Sequence, residues 1–303
     1  MKVIGLSTGR IGGNSEILLK EALMVCESLG AETEIIRAME LDLRPCRGCE
    51  SCTMAIARGE KAKCVIDDDA PWLLEKIILE DAALIISAPT YHLRPNGYLE
   101  VICDRMLPVL LSNPYVLRKE RVGAIIAVGG GEPEWTPLTL LLANIFMQQI
   151  RRVVDQMLVN FCPRPGQVLL YPEYLERARK LGRNVINAMR MPISEVKYVG
   201  DEKEESCPVC HCDIVKIHKG LPEVYCPVCW TKGKIVMREE KMVIEWDEES
   251  VKYPRFSEKG VFDHLEFIKK NFKYYYDNLD KVKSLITKYA EYGKIVKPKR
   301  DIK

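Results

Sequence analysis

Within the first 190 residues, short apolar runs and amphipathic helical stretches alternate five times, and few folds accept that order. The runs at 2–7, 33–37, 83–88, 122–128 and 153–159 have the length and character of strands. Helical patterns follow each of them, near 15–29, 68–79, 97–106, 137–150 and 172–189. A nearly continuous apolar run, as at 83–88, suits a sheet covered on both faces. The alternation therefore predicts an α/β fold, a doubly wound parallel sheet of five strands with helices on either side. In such sheets ligands bind beyond the carboxyl ends of the strands. The segments expected there are Ser7–Ser15, Pro89–Asn96 and Gly129–Glu132, each rich in glycine, proline or hydroxyl groups.

The character changes after Met191-Pro192. A charged stretch, 200–206, leads into Cys-Pro-Val-Cys turns between short strands, and a helical pattern rich in tyrosine and lysine returns over 257–292, as one helix or two. The expected organisation is a sheet domain over 1–192, a small metal-binding module over 193–250 and a helical segment over 251–303.

Charge narrows the function classes. The net charge is only +2, with no basic footprint for nucleic acid, which is not expected as a partner. No secretory signal opens the chain, and no apolar run approaches the roughly 20 residues of a membrane span. A cytoplasmic protein without membrane contact is expected. In that reducing compartment, twelve cysteines point to metal or redox sites more than to disulfides. Cys26, Cys103 and Cys162 stand alone in apolar surroundings and read as small buried hydrophobes.

The first loop, Ser7-Thr8-Gly9-Arg10-Ile11-Gly12-Gly13-Asn14-Ser15, joins a strand to a helix. Backbone N–H groups and a helix N-terminus make an anion cradle there, and Ser7, Thr8, Arg10, Asn14 and Ser15 add donors. It lacks the Gly-Lys-Ser/Thr of a Walker loop and the Gly-x-Gly-x-x-Gly of a dinucleotide fold. One phosphate of a mononucleotide suits it better than a diphosphate; a plain capped glycine turn is the alternative.

This loop resembles the phosphate loop of the NADPH-dependent FMN reductase family through Gly5, Ser7, Arg10, Gly13, Asn14 and Ser15, although it lacks that family's proline and is one residue shorter. Pro89, Tyr91, Gly97, Leu99, Asp104 and Arg105 fall in step with the family's second motif, while His92 replaces a common aromatic and Glu100 a common lysine. Gly129-Gly130-Gly131-Glu132 is similar to its third loop. The resemblance implies a flavodoxin-like fold and FMN held by Ser7, Thr8, Arg10, Asn14, Ser15, Pro89, Thr90, Tyr91, His92, Gly129, Gly130 and Gly131. It names no catalytic side chain, because the cofactor carries the chemistry.

Cys46, Cys49 and Cys52, with Cys64 after eleven intervening residues, have a spacing that serves iron–sulfur or tetrathiolate zinc ligation; reduced thiols or a redox disulfide are the alternative. The order resembles the iron-sulfur flavoprotein branch of the same family, which implies a [4Fe-4S] cluster on these four, though the gap is longer than that branch usually shows. Cys207-Pro-Val-Cys210 and Cys226-Pro-Val-Cys229, fifteen residues apart, form a zinc-ribbon pattern. It is also similar to rubredoxin knuckles, so iron is the alternative ion. His211 and Trp230 follow the knuckles where glycine is usual, a position that favours a permissive backbone.

The sequence thus predicts an FMN-dependent oxidoreductase or electron-transfer flavoprotein. Its expected donor is NAD(P)H or ferredoxin, and the resemblance implies a homodimer or homotetramer. The competing class is a redox-sensing binding module that docks a protein or nucleic acid through its ribbon.

Overall fold

A computed structural model describes residues 1–133, 137–201, 206–290 and 292–296. Five parallel strands form its central sheet: β1 (Lys2–Ser7), β2 (Glu32–Arg37), β3 (Ala83–Tyr91), β5 (Val122–Val128) and β6 (Arg152–Val159), in the order β2-β1-β3-β5-β6. The two-residue β4 (Arg94–Pro95) folds back on β3. The order reverses at β1 and β3, which places a crevice at their carboxyl ends. Every residue of β5 is buried, as a fully covered strand requires.

Helices cover both faces. On one, α1 (Asn14–Ser28) and α7 (Pro172–Met189) bury Leu19, Leu23, Leu181 and Val185 against Ile85 and Ile126. On the other, α3 (Ala70–Leu79), α4 (Gly97–Asp104) and α6 (Pro137–Ile150) bury Leu73, Ile77, Ile102 and Phe146 against Ile4, Ile86 and Ile125. The first pair of helices packs very closely: a methyl on Gly182 would lie 2.3 Å from the Ala22 carbonyl oxygen. Gly182→Ala is therefore expected to push α1 and α7 apart and cost about 1–3 kcal/mol, read as a lower urea midpoint. Cys26 donates to the Gly182 carbonyl at 3.6 Å, and burial pushes its thiol up to about 12. Cys103 is likewise pushed up to about 12 by burial, and Cys162 is raised for the same reason. These three are protonated packing residues at neutral pH.

Three local departures from the sequence reading matter. The third strand runs on to Tyr91 and turns through His92 (φ 51°) and Leu93 (φ 71°), the two left-handed residues of a tight hairpin. That turn chemistry is hard to foresee without glycine or asparagine. A short helix, α2 (Ser51–Ala57), carries Cys52 within the cysteine loop, and α5 (Leu107–Ser112) follows α4.

Beyond α7, a four-stranded antiparallel sheet is built from β7 (Lys216–Ile217), β8 (Glu223–Tyr225), β9 (Lys232–Arg238) and β10 (Lys241–Trp246), followed by α8 (Glu248–Lys252). It belongs to the same compact unit as the parallel sheet, Met1–Glu258. Lys259–Lys303 form a second unit, whose helices are α9 (Glu258–Asp277) and α10 (Leu279–Ala290). No residue of either helix is buried. No helix among the described residues is long and apolar enough to cross a membrane.

Candidate flavin site and metal ribbon

Loop one leaves β1 at Ser7. Thr8 donates its N–H to the Ser87 carbonyl of β3 at 3.0 Å, and Asn96, beyond the β3–β4 hairpin, donates from Nδ2 to the Thr8 carbonyl. A methyl on Gly9 would lie 2.3 Å from Ser15 Oγ and 3.2 Å from the Pro89 ring. Bare backbone is the only thing that fits between the two loops. No side chain caps α1, so its first-turn N–H groups remain available to an anion. Ser7 Oγ is buried without a partner, while Arg10 is exposed. This donor set fits a phosphate.

The loop is held from behind by a residue that the sequence reading overlooked. Glu16 is completely buried yet charged. It meets Lys20 Nζ at 2.6 Å and Arg37 Nη2 at 3.0 Å, and accepts the Gly12 N–H at 3.2 Å. Burial opposes its charge, but these partners outweigh it and hold the carboxyl below the usual range.

Asn14 was expected to supply a phosphate donor, and its side chain is engaged elsewhere. Its Nδ2 donates to the carbonyls of Cys162 and Arg164, both at 2.8 Å, and its Oδ1 accepts the Val168 N–H at 3.2 Å. That ties loop one to the segment after β6. The same segment holds the third loop: Gly129 donates to Val159 at 2.7 Å, Cys162 to Gly129 and Phe161 to Gly131, each at 3.1 Å. Gly130 packs so tightly on Pro163 that an added methyl would sit 2.9 Å from its Cα. The second loop joins through Thr90, whose Oγ1 lies 2.7 Å from Thr139 Oγ1 on α6. Tyr91 and His92 are exposed at the hairpin tip. All three predicted loops are thus linked at one rim, with 160–166 as a fourth segment that carried no motif.

Cys46, Cys49, Cys52 and Cys64 share one loop, Cys46 and Cys49 exposed and Cys52 and Cys64 half-buried. Among the described residues, the one group of His, Cys, Asp or Glu side chains gathered closely enough for a metal is in the ribbon. Cys46 accepts the Gly48 N–H at 3.4 Å, and Cys49 lies 3.4 Å from Ser51 Oγ. Cys64 accepts from Arg105 Nη2 at 3.3 Å. Arg105 anchors this loop: its side chain is 2% exposed, makes a two-pronged pair with Asp68 at 2.7 and 2.8 Å, and reaches the Arg44 carbonyl at 2.6 Å.

Burial works against the charge of Asp68, yet Arg105 and the N–H groups of Arg44 and Ala70 hold its carboxyl below the ordinary value. A carboxyl lowered on folding stabilises the protein above its unfolded pKa, near 4, and that contribution disappears as pH falls through the folded value. Asp68→Asn is expected to cost about 1–3 kcal/mol at neutral pH and to flatten the acid limb of stability, as measured by urea unfolding between pH 3 and 7.

The ribbon cysteines are gathered and buried. Cys207, Cys210, Cys226 and Cys229 place their sulfurs within 4.8 Å of one another, with Cys207–Cys229 at 3.4 Å and Cys210–Cys226 at 3.3 Å. A tetrahedral ion with Zn–S bonds near 2.3 Å sets sulfurs about 3.8 Å apart, so the residues fit one. The knuckles repeat each other's backbone. His211 donates to Cys207 at 2.8 Å and Trp230 to Cys226 at 2.9 Å, and both are left-handed, at φ 60° and 62°. Cys207 is held low by hydrogen bonds from Cys210, Cys226 and Cys229. Burial lowers Lys119 to about 8, with Cys229 and Cys210 among the groups pulling it back up.

Comparison with known proteins settles the lineage. The model of the NADPH-dependent FMN reductase family matches residues 1–160. The chain belongs to that family. An iron-sulfur flavoprotein of Methanocaldococcus jannaschii is 36% identical over 200 residues, covering 63% of this chain and 98% of that one. A flavone synthase of Aspergillus candidus is 27% identical over 288 residues, 88% of either chain. Among solved structures, a flavone reductase superposes with a TM-score of 0.79 at 23% identity, over 99% of this chain and all of that one, a likeness of fold. The protein is accordingly a flavodoxin-like, FMN-dependent oxidoreductase, and the ribbon and terminal helices lie outside the family's matched span.

Proposed function

We propose that FMN lies across the rim formed by the three loops, with its phosphate at Ser7–Ser15 and its ring between Pro89–His92 and Gly129–Gly131. The observation that carries this reading is the linkage of all three loops at the end of one parallel sheet, around an uncapped helix and a Gly9 position with no room for a side chain. The bound flavin would supply two-electron and one-electron transfer. The chain's task is to hold and cover it. Backbone N–H groups of α1 bind the phosphate, Glu16 fixes the loop behind it, and the clasp at 160–166 holds the third loop to β6.

NAD(P)H is the proposed donor, from the family's character, with reduced ferredoxin as the alternative. A flat aromatic small molecule is the proposed acceptor, supported by the relative named for a flavone and by the exposed Tyr91, His92 and Leu93 at the hairpin tip. A [4Fe-4S] cluster on Cys46, Cys49, Cys52 and Cys64 is supported by the iron-sulfur flavoprotein relative. Zinc in the ribbon and a homo-oligomer in the cytoplasm complete the reading. The test is anaerobic purification with flavin and metal analysis, then NAD(P)H oxidation with flat aromatic acceptors. One flavin per chain and acceptor-dependent turnover are expected; a flavin-free protein inert to both nicotinamides and to reduced ferredoxin would refute the proposal.

A further inference from the structure

Two buried amides, Asn144 on α6 and Gln156 on β6, are used by neither the sheet core nor the loops of the flavin rim. Asn144 is 1% exposed and Gln156 6%. Asn144 Nδ2 donates to Gln156 Oε1 at 3.1 Å and to the carbonyl of Cys210 at 2.8 Å. Gln156 Nε2 donates to the carbonyl of His211 at 3.1 Å. The Tyr198 ring lies flat on the His211 ring, with centroids 3.6 Å apart and planes 10° from parallel. Leu141 and Ile145, also on α6, pack against the buried ribbon cluster formed by its cysteines and Val228. The first knuckle is therefore fastened to the parallel-sheet domain by its own backbone carbonyls.

The first turn of α6 reaches the flavin rim. Thr139 is completely buried in its first turn and meets Thr90 of the second loop at 2.7 Å. One helix thus carries the metal knuckle on Leu141, Asn144 and Ile145 and the candidate flavin hairpin on Thr139.

We propose that the ribbon ion governs the flavin rim through α6, with Asn144 and Gln156 as the positioning residues that couple them. This rests on the flavin reading given above. Without an ion, four converging sulfurs have nothing to hold them together, and the ribbon has little apolar core of its own. Once the knuckle loosens, the Cys210 and His211 carbonyls turn to water, and the buried Asn144 and Gln156 amides each lose the knuckle acceptor they donate to, leaving only the bond between the two side chains. An unsatisfied buried amide is costly, and a shift of α6 relieves that cost at the expense of the Thr139–Thr90 contact.

The test compares the full chain loaded with Zn2+ and stripped by a chelator. Amide hydrogen exchange is followed at 207–231, at 139–145 and at 89–96, and FMN affinity is titrated in both forms. Stripping is expected to remove protection from all three segments, to leave β1 and β5 protected, and to weaken FMN binding roughly five- to hundredfold, the usual span of such coupling. Asn144→Leu, loaded with Zn2+, is expected to show the weaker FMN affinity while still binding one ion. Loss of protection at 207–231 with 89–96 unchanged would overturn the inference, as would loss across β1 and β5 alike. If exchange at 89–96 responds to the ion but FMN binds neither form, the coupling stands and the flavin reading fails.

Discussion

Asn14→Leu should remove a large part of the protein's stability and its grip on FMN together. The Asn14 side chain satisfies three backbone groups, the carbonyls of Cys162 and Arg164 and the N–H of Val168. Leucine fills similar space and satisfies none of them. The Cys162 and Val168 groups are buried and the Arg164 carbonyl only partly so; a buried backbone group left without a partner costs about 1–3 kcal/mol, so the two buried ones alone sum to roughly 2–6 kcal/mol before relaxation. Against a total stability of about 5–15 kcal/mol for a typical domain, that is close to unfolding. Loop one would also lose its tie to the segment holding Gly129 and Gly131, and FMN affinity is expected to fall at least about tenfold, equivalent to roughly 1.4 kcal/mol. Urea denaturation and flavin titration read the two effects. A loss below 1 kcal/mol would show that the Asn14 network does not hold the loops.

The second large effect is expected in the ribbon. Cys226→Ser removes one of four ligands from a module whose buried residues are mainly the cysteines themselves, with Val224 and Val228. Structural zinc contributes about 10–16 kcal/mol of binding free energy in small finger peptides at neutral pH, far more than those two valines supply. The variant is expected to lose about one equivalent of metal per chain and to become cleavable by protease within 207–247, while 1–192 remains folded. Full metal content and unchanged protease resistance would contradict the tetrathiolate site.

The alternation of apolar runs made the parallel sheet readable, because a covered strand such as β5 must be apolar throughout. The knuckles were readable because Cys-x2-Cys spacing is set by local chain geometry. Glu16 was not, since an acid in a first helical turn ordinarily faces water, and a Lys20 one turn on is a common surface pair; its burial also takes Arg37, brought in on β2, and the Gly12 N–H. Asn14 looked like an anion donor from its position in the loop, but its side chain answers to a segment about 150 residues away. The clasp at 160–166 carries no motif and works through backbone atoms, which any sequence supplies. The Arg105–Asp68 pair joins residues 37 apart in a contact that no local spacing encodes. Periodicity reveals elements, whereas the tertiary polar contacts that shape the rim depend on the fold already being formed.

The central claim, that these loops enclose a flavin mononucleotide, is tested most directly by titrating the chain with FMN and with riboflavin, following quenching of flavin fluorescence. FMN is expected to bind one to one. Riboflavin, which leaves the α1 cradle without its anion, should bind at least about tenfold more weakly, a difference of roughly 1.4 kcal/mol. Equal affinity for the two, or quenching by neither, would contradict the account.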